Sequence, residues 1–122
     1  MRYFFLKIGS GNIHAVPLLD EDRLGAPAVA GFFRSVSLQE ITERVDDDSV
    51  RFSRQAIDLY RWSTGDLPGY GICVAAGFVW ILQPAGEMYE MERDDFETAV
   101  GPTTHKDDVP KIVPVDVLYR ER

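Results

Sequence analysis

Four carboxylates follow one another closely in the second half of the chain: Glu90, Glu92, Asp94 and Asp95. On an extended strand Glu90 and Glu92 project from the same face, because side chains alternate with a period of two. Paired carboxylates perform acid–base chemistry when burial raises the pKa of one of them. The same residues can instead form an acidic ridge in solvent, or cap a short helix through Asp94 and Glu97. The spacing favours the cap, and the ridge is the functional interpretation that we prefer.

Thiol and imidazole chemistry has few residues to draw on. Cys73 is the single cysteine and lies in an apolar run, and the two histidines are His14 and His105. A nucleophilic thiol needs a neighbouring base or cation that lowers its pKa, and the run around Cys73 offers neither. His105 lies near Asp107 and Asp108, but a metal site needs three or four converging ligands, and no second cluster has a compatible spacing. We therefore predict no catalytic residue, no metal and no cofactor.

The charge of the chain is acidic and unevenly distributed. Thirteen Lys and Arg stand against twenty Asp and Glu, a formal net charge of −7. Residues 1–61 hold eight cations and nine carboxylates, whereas residues 62–122 hold five and eleven, a net charge of −6. A negative surface repels phosphate backbones, so direct binding of DNA or RNA is disfavoured. It suits a basic protein partner, although net charge also serves simply to keep a small domain in solution.

Two further groups of side chains could bind a partner or a ligand. Trp62 and Tyr70 flank a polar loop, where aromatic residues can anchor a protein partner, although core packing is the commoner role. The basic residues of the first half could instead bind an anionic ligand between helices and sheet. Arg34, Arg54 and Arg61 are the candidates for that alternative.

The N-terminal region predicts a hairpin. Residues 2–8 are rich in aromatics and predict a strand, and residues 12–19 predict its return strand, which Pro17 confines to an edge or a bulge. Residues 20–27 are polar, contain helix breakers and predict a loop.

Two helices are expected in the following region. The sequence Ser37-Leu38-Gln39-Glu40 matches a capping box and predicts a helix over residues 38–45. Residues 28–36 fit either a strand or a short helix. Residues 49–63 are open in the same way, with a helix over residues 54–62 favoured.

The second half predicts mainly β structure. Two apolar runs, residues 70–76 and 78–83, predict strands that pivot on Gly77. The turn sequence Pro84-Ala85-Gly86 predicts a hairpin that pairs residues 79–83 with residues 87–91.

The C-terminal region predicts a helix and a strand. The helix is expected over residues 95–100, because Asp94 caps it and Gly101-Pro102 ends it. The strand is expected over residues 112–119, with Pro114 pushing it to an edge of the sheet.

Together these elements predict one α+β domain over residues 1–122. We expect a mostly antiparallel sheet of about five to six strands with two or three short helices on one side. The longest apolar stretch, residues 72–82, has 11 residues, whereas a helix that crosses a bilayer needs about 20, so no membrane contact is predicted. The lone cysteine and the lack of a secretory signal predict a cytoplasmic protein.

The leading hypothesis is a small acidic, non-catalytic binding protein that occludes a basic surface of a larger partner. Nuclease inhibitors, immunity proteins and phage anti-defence proteins share its size, its charge and its lack of catalytic motifs. We expect its contacts to come from the carboxylates of the second half and two aromatic residues: Glu87, Glu90, Glu92, Asp94, Asp95, Trp62 and Tyr70. The alternatives are a small enzyme or anion-binding domain that uses the arginines above, and a structural subunit or homodimer formed through an uncovered sheet face.

Overall fold

Helices and strands both form across the part of the chain that the computed structural model describes, residues 3–6, 13–34, 36–46, 54–103 and 107–122. The helices are α1 (Ala15–Leu19), α2 (Leu38–Arg44), α3 (Arg54–Thr64) and α4 (Arg93–Ala99). The strands are β1 (Tyr3–Phe5), β2 (Ala28–Arg34), β3 (Tyr70–Ala75), β4 (Phe78–Pro84), β5 (Tyr89–Glu90) and β6 (Asp108–Glu121). The predicted α+β class is confirmed, and these residues hold one helix more than predicted.

The strands form a mixed sheet in the order β1-β3-β4-β6-β2, with β5 also paired to β6. The expectation of a mostly antiparallel sheet is wrong, because β1 pairs with β3 in parallel. β6 bends and changes partner. Its first half pairs with β2, from Asp108 to Pro114, and its second half pairs with β4, from Val115 to Glu121. The bend divides the sheet into a β2-β6-β5 part and a β1-β3-β4-β6 part.

The predicted N-terminal hairpin is wrong because its second strand is a helix. Ala15, Leu18 and Leu19 of α1 are buried, at the three- and four-residue spacing of a helical face. Pro17 lies in the first turn of α1, where its missing N–H removes no helical hydrogen bond. Without a return strand, β1 pairs with a strand far along the chain: Tyr3 lies beside Tyr70.

The hairpin predicted around Pro84 is also wrong. β4 forms its hairpin with β3, the strand before it. Ala76 and Gly77 join the two strands in a tight two-residue turn, with φ values of 53° and 79°. The segment after β4 crosses to β6 instead of returning to β4: the N–H of Ala85 donates to the carbonyl of Pro114 at 2.8 Å, and β5 pairs with Lys111 and Ile112. The turn sequence Pro84-Ala85-Gly86 correctly predicted that the chain changes direction after β4. It did not specify the strand with which the next segment pairs.

The last strand is longer than predicted and lies inside the sheet, so the expectation of an edge position is wrong. The carbonyls of Pro110 and Pro114 accept from the N–H groups of Met91 and Ala85. The N–H and C=O of one strand residue point to the same side, so the donors that these prolines lack would face residues 85–91. The ladder with β2 on the other side keeps its donors, which explains how an interior strand tolerates two prolines.

Several local expectations are confirmed. Ser37 caps α2 by accepting from the N–H of Glu40 at 3.1 Å. Of the two segments left open, residues 28–34 form a strand and residues 54–64 a helix. The core lies on the inner face of β1-β3-β4-β6, where Cys73, Trp80 and Leu82 are fully buried against residues from the helices. Burial of each large apolar side chain stabilises the fold by about 1.5–3 kcal/mol.

Candidate interaction surfaces

Residues 87–95, called the acidic segment below, hold all five of the predicted binding carboxylates. The segment is fastened to β6 at several points. Tyr89 pairs with Ile112, the N–H of Met91 donates to Pro110 at 3.0 Å, and the side chain of Met88 is buried. The carboxylates are therefore presented from a backbone that is held in place.

Glu90 differs from the other four because it is bound to a buried lysine. The side chain of Lys111 is fully buried, and its Nζ donates to the carbonyls of Val36 and of Val109, the latter at 2.9 Å. It also lies 3.2 Å from Oε2 of Glu90, and that oxygen accepts from the N–H of Leu38 at 2.8 Å. Burial lowers the pKa of Lys111, and the carboxylate of Glu90 acts in the opposite direction. Glu90 thus joins α2, β5 and β6.

The other carboxylates of the acidic segment are exposed. Glu87, Glu92 and Asp95 lie in solvent, and Asp94, whose side chain is 91% exposed, lies 3.6 Å from Arg93. Tyr89 belongs to the same segment and is 40% exposed, and partial burial raises its pKa. The segment is a fixed acidic ridge with one aromatic residue.

The predicted cap of the fourth helix is wrong in its register. α4 begins at Arg93, so Glu92 occupies the N-cap position and makes no capping bond with its side chain. Asp94 and Asp95 fall in the first turn, where the helix dipole favours negative charge. Glu97 pairs with Arg93 at 3.2 Å instead of reaching back to the cap.

The two aromatic candidates separate. Trp62 is 2% exposed, and its Nε1 donates to the carbonyl of Gly69 at 3.0 Å, so it is a core residue and not an exposed anchor. Tyr70 is half-buried on the opposite side of the sheet, with its ring 5.5 Å from that of Tyr3. Tyr70 therefore belongs to an uncovered sheet face, which the sequence analysis allowed for in one alternative without identifying its residues.

That surface is the outer face of β1-β3-β4-β6, opposite the helices. The strand registers align one row of side chains across all four strands: Phe5, Ile72, Ile81 and Tyr119. Two flanking pairs complete the outer face: Tyr3 with Tyr70, and Val74 with Val79. Phe5 is 83% exposed, and Tyr3, Val74 and Tyr119 are about half exposed.

Among the described residues, the charged groups on the outer face lie at its β6 margin. Asp116 pairs in register with Gln83 and accepts from it, and Glu121 pairs with Val79. Glu121 also accepts a hydrogen bond from the hydroxyl of Tyr119, which raises the pKa of that tyrosine. The centre of the face is therefore apolar.

Many of the cations are already engaged with carboxylates. Arg120 makes a bidentate pair with Asp20 at 2.7 and 2.8 Å, and this pair holds the pKa of Asp20 below its usual value. Arg61, one of the predicted anion ligands, donates to the carbonyl of Val45 and to Asp46. The side chains of the other two, Arg34 and Arg54, lie outside the described part of the chain.

The residues considered for catalysis lie in different surroundings. Cys73 is fully buried, and burial raises the pKa of its thiol to about 11. The imidazole of His14 is buried between Phe32 and Phe96 and bonds to the carbonyl of Pro102 at 2.8 Å. His105 lies outside the described residues.

An open depression of about 300 Å³ beside Trp62 and Tyr70 is lined by uncharged residues. Within the described ranges, no three His, Cys, Asp or Glu side chains converge as metal ligands would.

Neither the length of the described helices nor the comparisons with other proteins assign this chain to a known kind of protein. None of the described helices has the length and apolar character needed to cross a bilayer. Comparison with protein-family models, with curated proteins and with solved structures finds no match to this chain.

Proposed function

We propose that this protein is a non-catalytic binding protein whose acidic segment docks on a basic surface of a larger protein. The observation that carries the proposal is the fixed ridge of exposed carboxylates around Tyr89. A rigid presentation lowers the entropy lost on binding, because the backbone is ordered before the partner arrives.

The charge balance supports a basic partner. Lys111 and Arg120 are bound to Glu90 and Asp20, so these cations do not offset the exposed carboxylates. The surplus that remains steers a basic protein toward the ridge and repels nucleic acid. The carboxylates then occupy the place where phosphates would otherwise bind, so the mechanism is occlusion. A lone, buried cysteine supports a reducing compartment such as the cytoplasm as the place of this encounter.

The contribution of each carboxylate differs. Glu87 and Glu92 are exposed and can be reversed in charge without loss of a packing contact. Glu90 acts indirectly, because it holds the ridge on β6. Asp95 contributes to the field of the ridge and to the first turn of α4. Tyr89 supplies the apolar contact that can be desolvated at the centre.

The test is a double charge reversal, Glu87→Lys with Glu92→Lys, measured against a partner captured from host lysate and then purified. We expect the association rate constant to fall by about tenfold or more at low salt, and its salt dependence to weaken. The matched control is Glu43→Lys with Asp66→Lys, which makes the same charge change at exposed positions outside the ridge.

The control separates a specific surface from a general effect of net charge. Equal slowing by the two double variants would contradict docking through the acidic segment. An affinity that does not change with salt would contradict the electrostatic mechanism altogether.

A further inference from the structure

We infer that the outer face of β1-β3-β4-β6 binds a second copy of this chain, in a face-to-face sheet dimer. This inference is independent of the proposed function, which uses the acidic segment. The row Phe5, Ile72, Ile81 and Tyr119 spans four strands without a charged residue. A sheet with one apolar face in water lacks the second layer that sheet proteins normally pack against that face.

The size of the face matches what a dimer needs. Its eight side chains together present on the order of 600 Å² to solvent, with the aromatic rings contributing most of it. Specific, stable interfaces bury about 600–1,000 Å² on each partner, so the face reaches the lower end of that range. The face lies at the upper end of the about 300–600 Å² that the largest apolar patch of a typical monomer exposes.

The distribution of charge allows a two-fold arrangement. Asp116 and Glu121 lie only along β6, at one margin of the face. A two-fold axis parallel to the strands places the β6 margin of one copy over β1 of the other. The acidic margins of the two copies then lie on opposite sides of the interface, and the apolar rows meet at its centre. An isologous contact of this kind requires a self-complementary patch, which a charge-free centre provides.

A second copy explains this face better than the basic partner does. The centre of the face has no carboxylate with which a cation could pair, whereas the acidic segment has several. A basic partner gains more electrostatic complementarity at the acidic segment than at the centre of the outer face. A dimer through the outer face would leave that segment open on both copies.

The test is the mass of the protein in solution, measured by sedimentation across a concentration series. We expect wild-type protein to approach twice the 13.8 kDa chain mass at about 100 μM, with a melting temperature that rises with concentration. The double variant Phe5→Ser with Ile81→Ser should weaken dimerisation by at least about thirtyfold.

Controls keep the result interpretable. Ile13→Ser with Tyr89→Ser removes two exposed apolar side chains outside the face and should leave the dimer intact. The charge-reversal variant Glu87→Lys with Glu92→Lys should also remain dimeric, so this inference and the proposed function fail separately. A wild-type protein that stays at one chain mass, or a dimer lost only in the Ile13 and Tyr89 variant, would overturn the inference. Circular dichroism of the Phe5 and Ile81 variant distinguishes loss of the dimer from loss of the fold.

Discussion

β6 carries the outer face on its second half and supports the acidic segment beside its first half. The two surfaces are held in different ways. Outer-face side chains project from a ladder of four strands, in which the register of β4 with β6 shifts between Ile81 and Leu82. The acidic segment has only two residues in a ladder, and its position depends on an ion pair between the buried Lys111 and the partly exposed Glu90.

This difference indicates what each surface would contribute to the proposed binding. An apolar area stabilises a complex in proportion to the surface removed from water, and so mainly slows dissociation. Exposed carboxylates lose much of their Coulomb energy to solvent and salt, so they mainly accelerate association. One small fold thus carries a surface suited to permanent contact and another suited to fast, salt-dependent encounter.

The largest expected effect comes from breaking the support of the acidic segment. Lys111→Ala leaves Glu90 without its cation and the carbonyls of Val36 and Val109 without their donor. The free energy of unfolding should fall by about 3–5 kcal/mol in a urea titration. Arg93→Ala, which breaks a partly exposed pair with Glu97, should cost no more than about 1 kcal/mol. Equal losses in the two variants would mean that the segment does not depend on the pair between Lys111 and Glu90.

Neighbouring residues of β4 should separate the two faces of the sheet. Leu82 is fully buried and Ile81 lies on the outer face. In dilute protein, Leu82→Ala should cost about 2–5 kcal/mol of unfolding free energy, because it leaves a cavity in the core. Ile81 is only partly buried, so Ile81→Ala should cost less than Leu82→Ala, about 1–2 kcal/mol. A larger loss at Ile81 would show that the outer face is covered within a single chain.

Acid should weaken the contact that Asp20, at the end of α1, makes with Arg120 on the inner, helix-covered side of β6. Arg120 lowers the pKa of Asp20 below 3.8, so the pair stabilises the folded state above that pH. The stability is lost as the pH falls through the lowered pKa. In Asp20→Asn, the urea midpoint should therefore be lower at neutral pH and fall less steeply with acid. Parallel pH profiles for the variant and the wild type would contradict this role of the pair.

The smallest effect is expected at the turn that joins the two central strands of the outer face. Ala76 adopts a φ of 53°, which costs a residue with a Cβ more than it costs glycine. Ala76→Gly should raise the free energy of unfolding by about 0.5–1 kcal/mol. Ala75→Gly, on β3 itself, should lower it by a similar amount. A loss of stability in Ala76→Gly would show that the turn is not strained.

Sequence reasoning succeeded where a local signal was sufficient. Ser37 and Glu40 predicted α2, and the apolar runs predicted β3 and β4, because caps and strand patterns depend on residues a few positions apart. It failed for residues 15–19, where the helical spacing of the apolar residues was present but Pro17 was taken as a strand feature. It also failed for strand pairing, since Tyr3 and Tyr70 are brought together only by the fold.

By itself, the sequence determined the α+β class, the excess of carboxylates in the second half and the burial of Cys73 and Trp80. The tertiary structure alone decided which carboxylate of the acidic segment is held in an ion pair. Glu90 meets Lys111 only because β5 pairs with β6 in the register that places these two residues side by side. It also decided that one face of β3 and β4 stays open. Both strands are apolar on both faces, and such a pattern does not specify how many layers pack against a sheet.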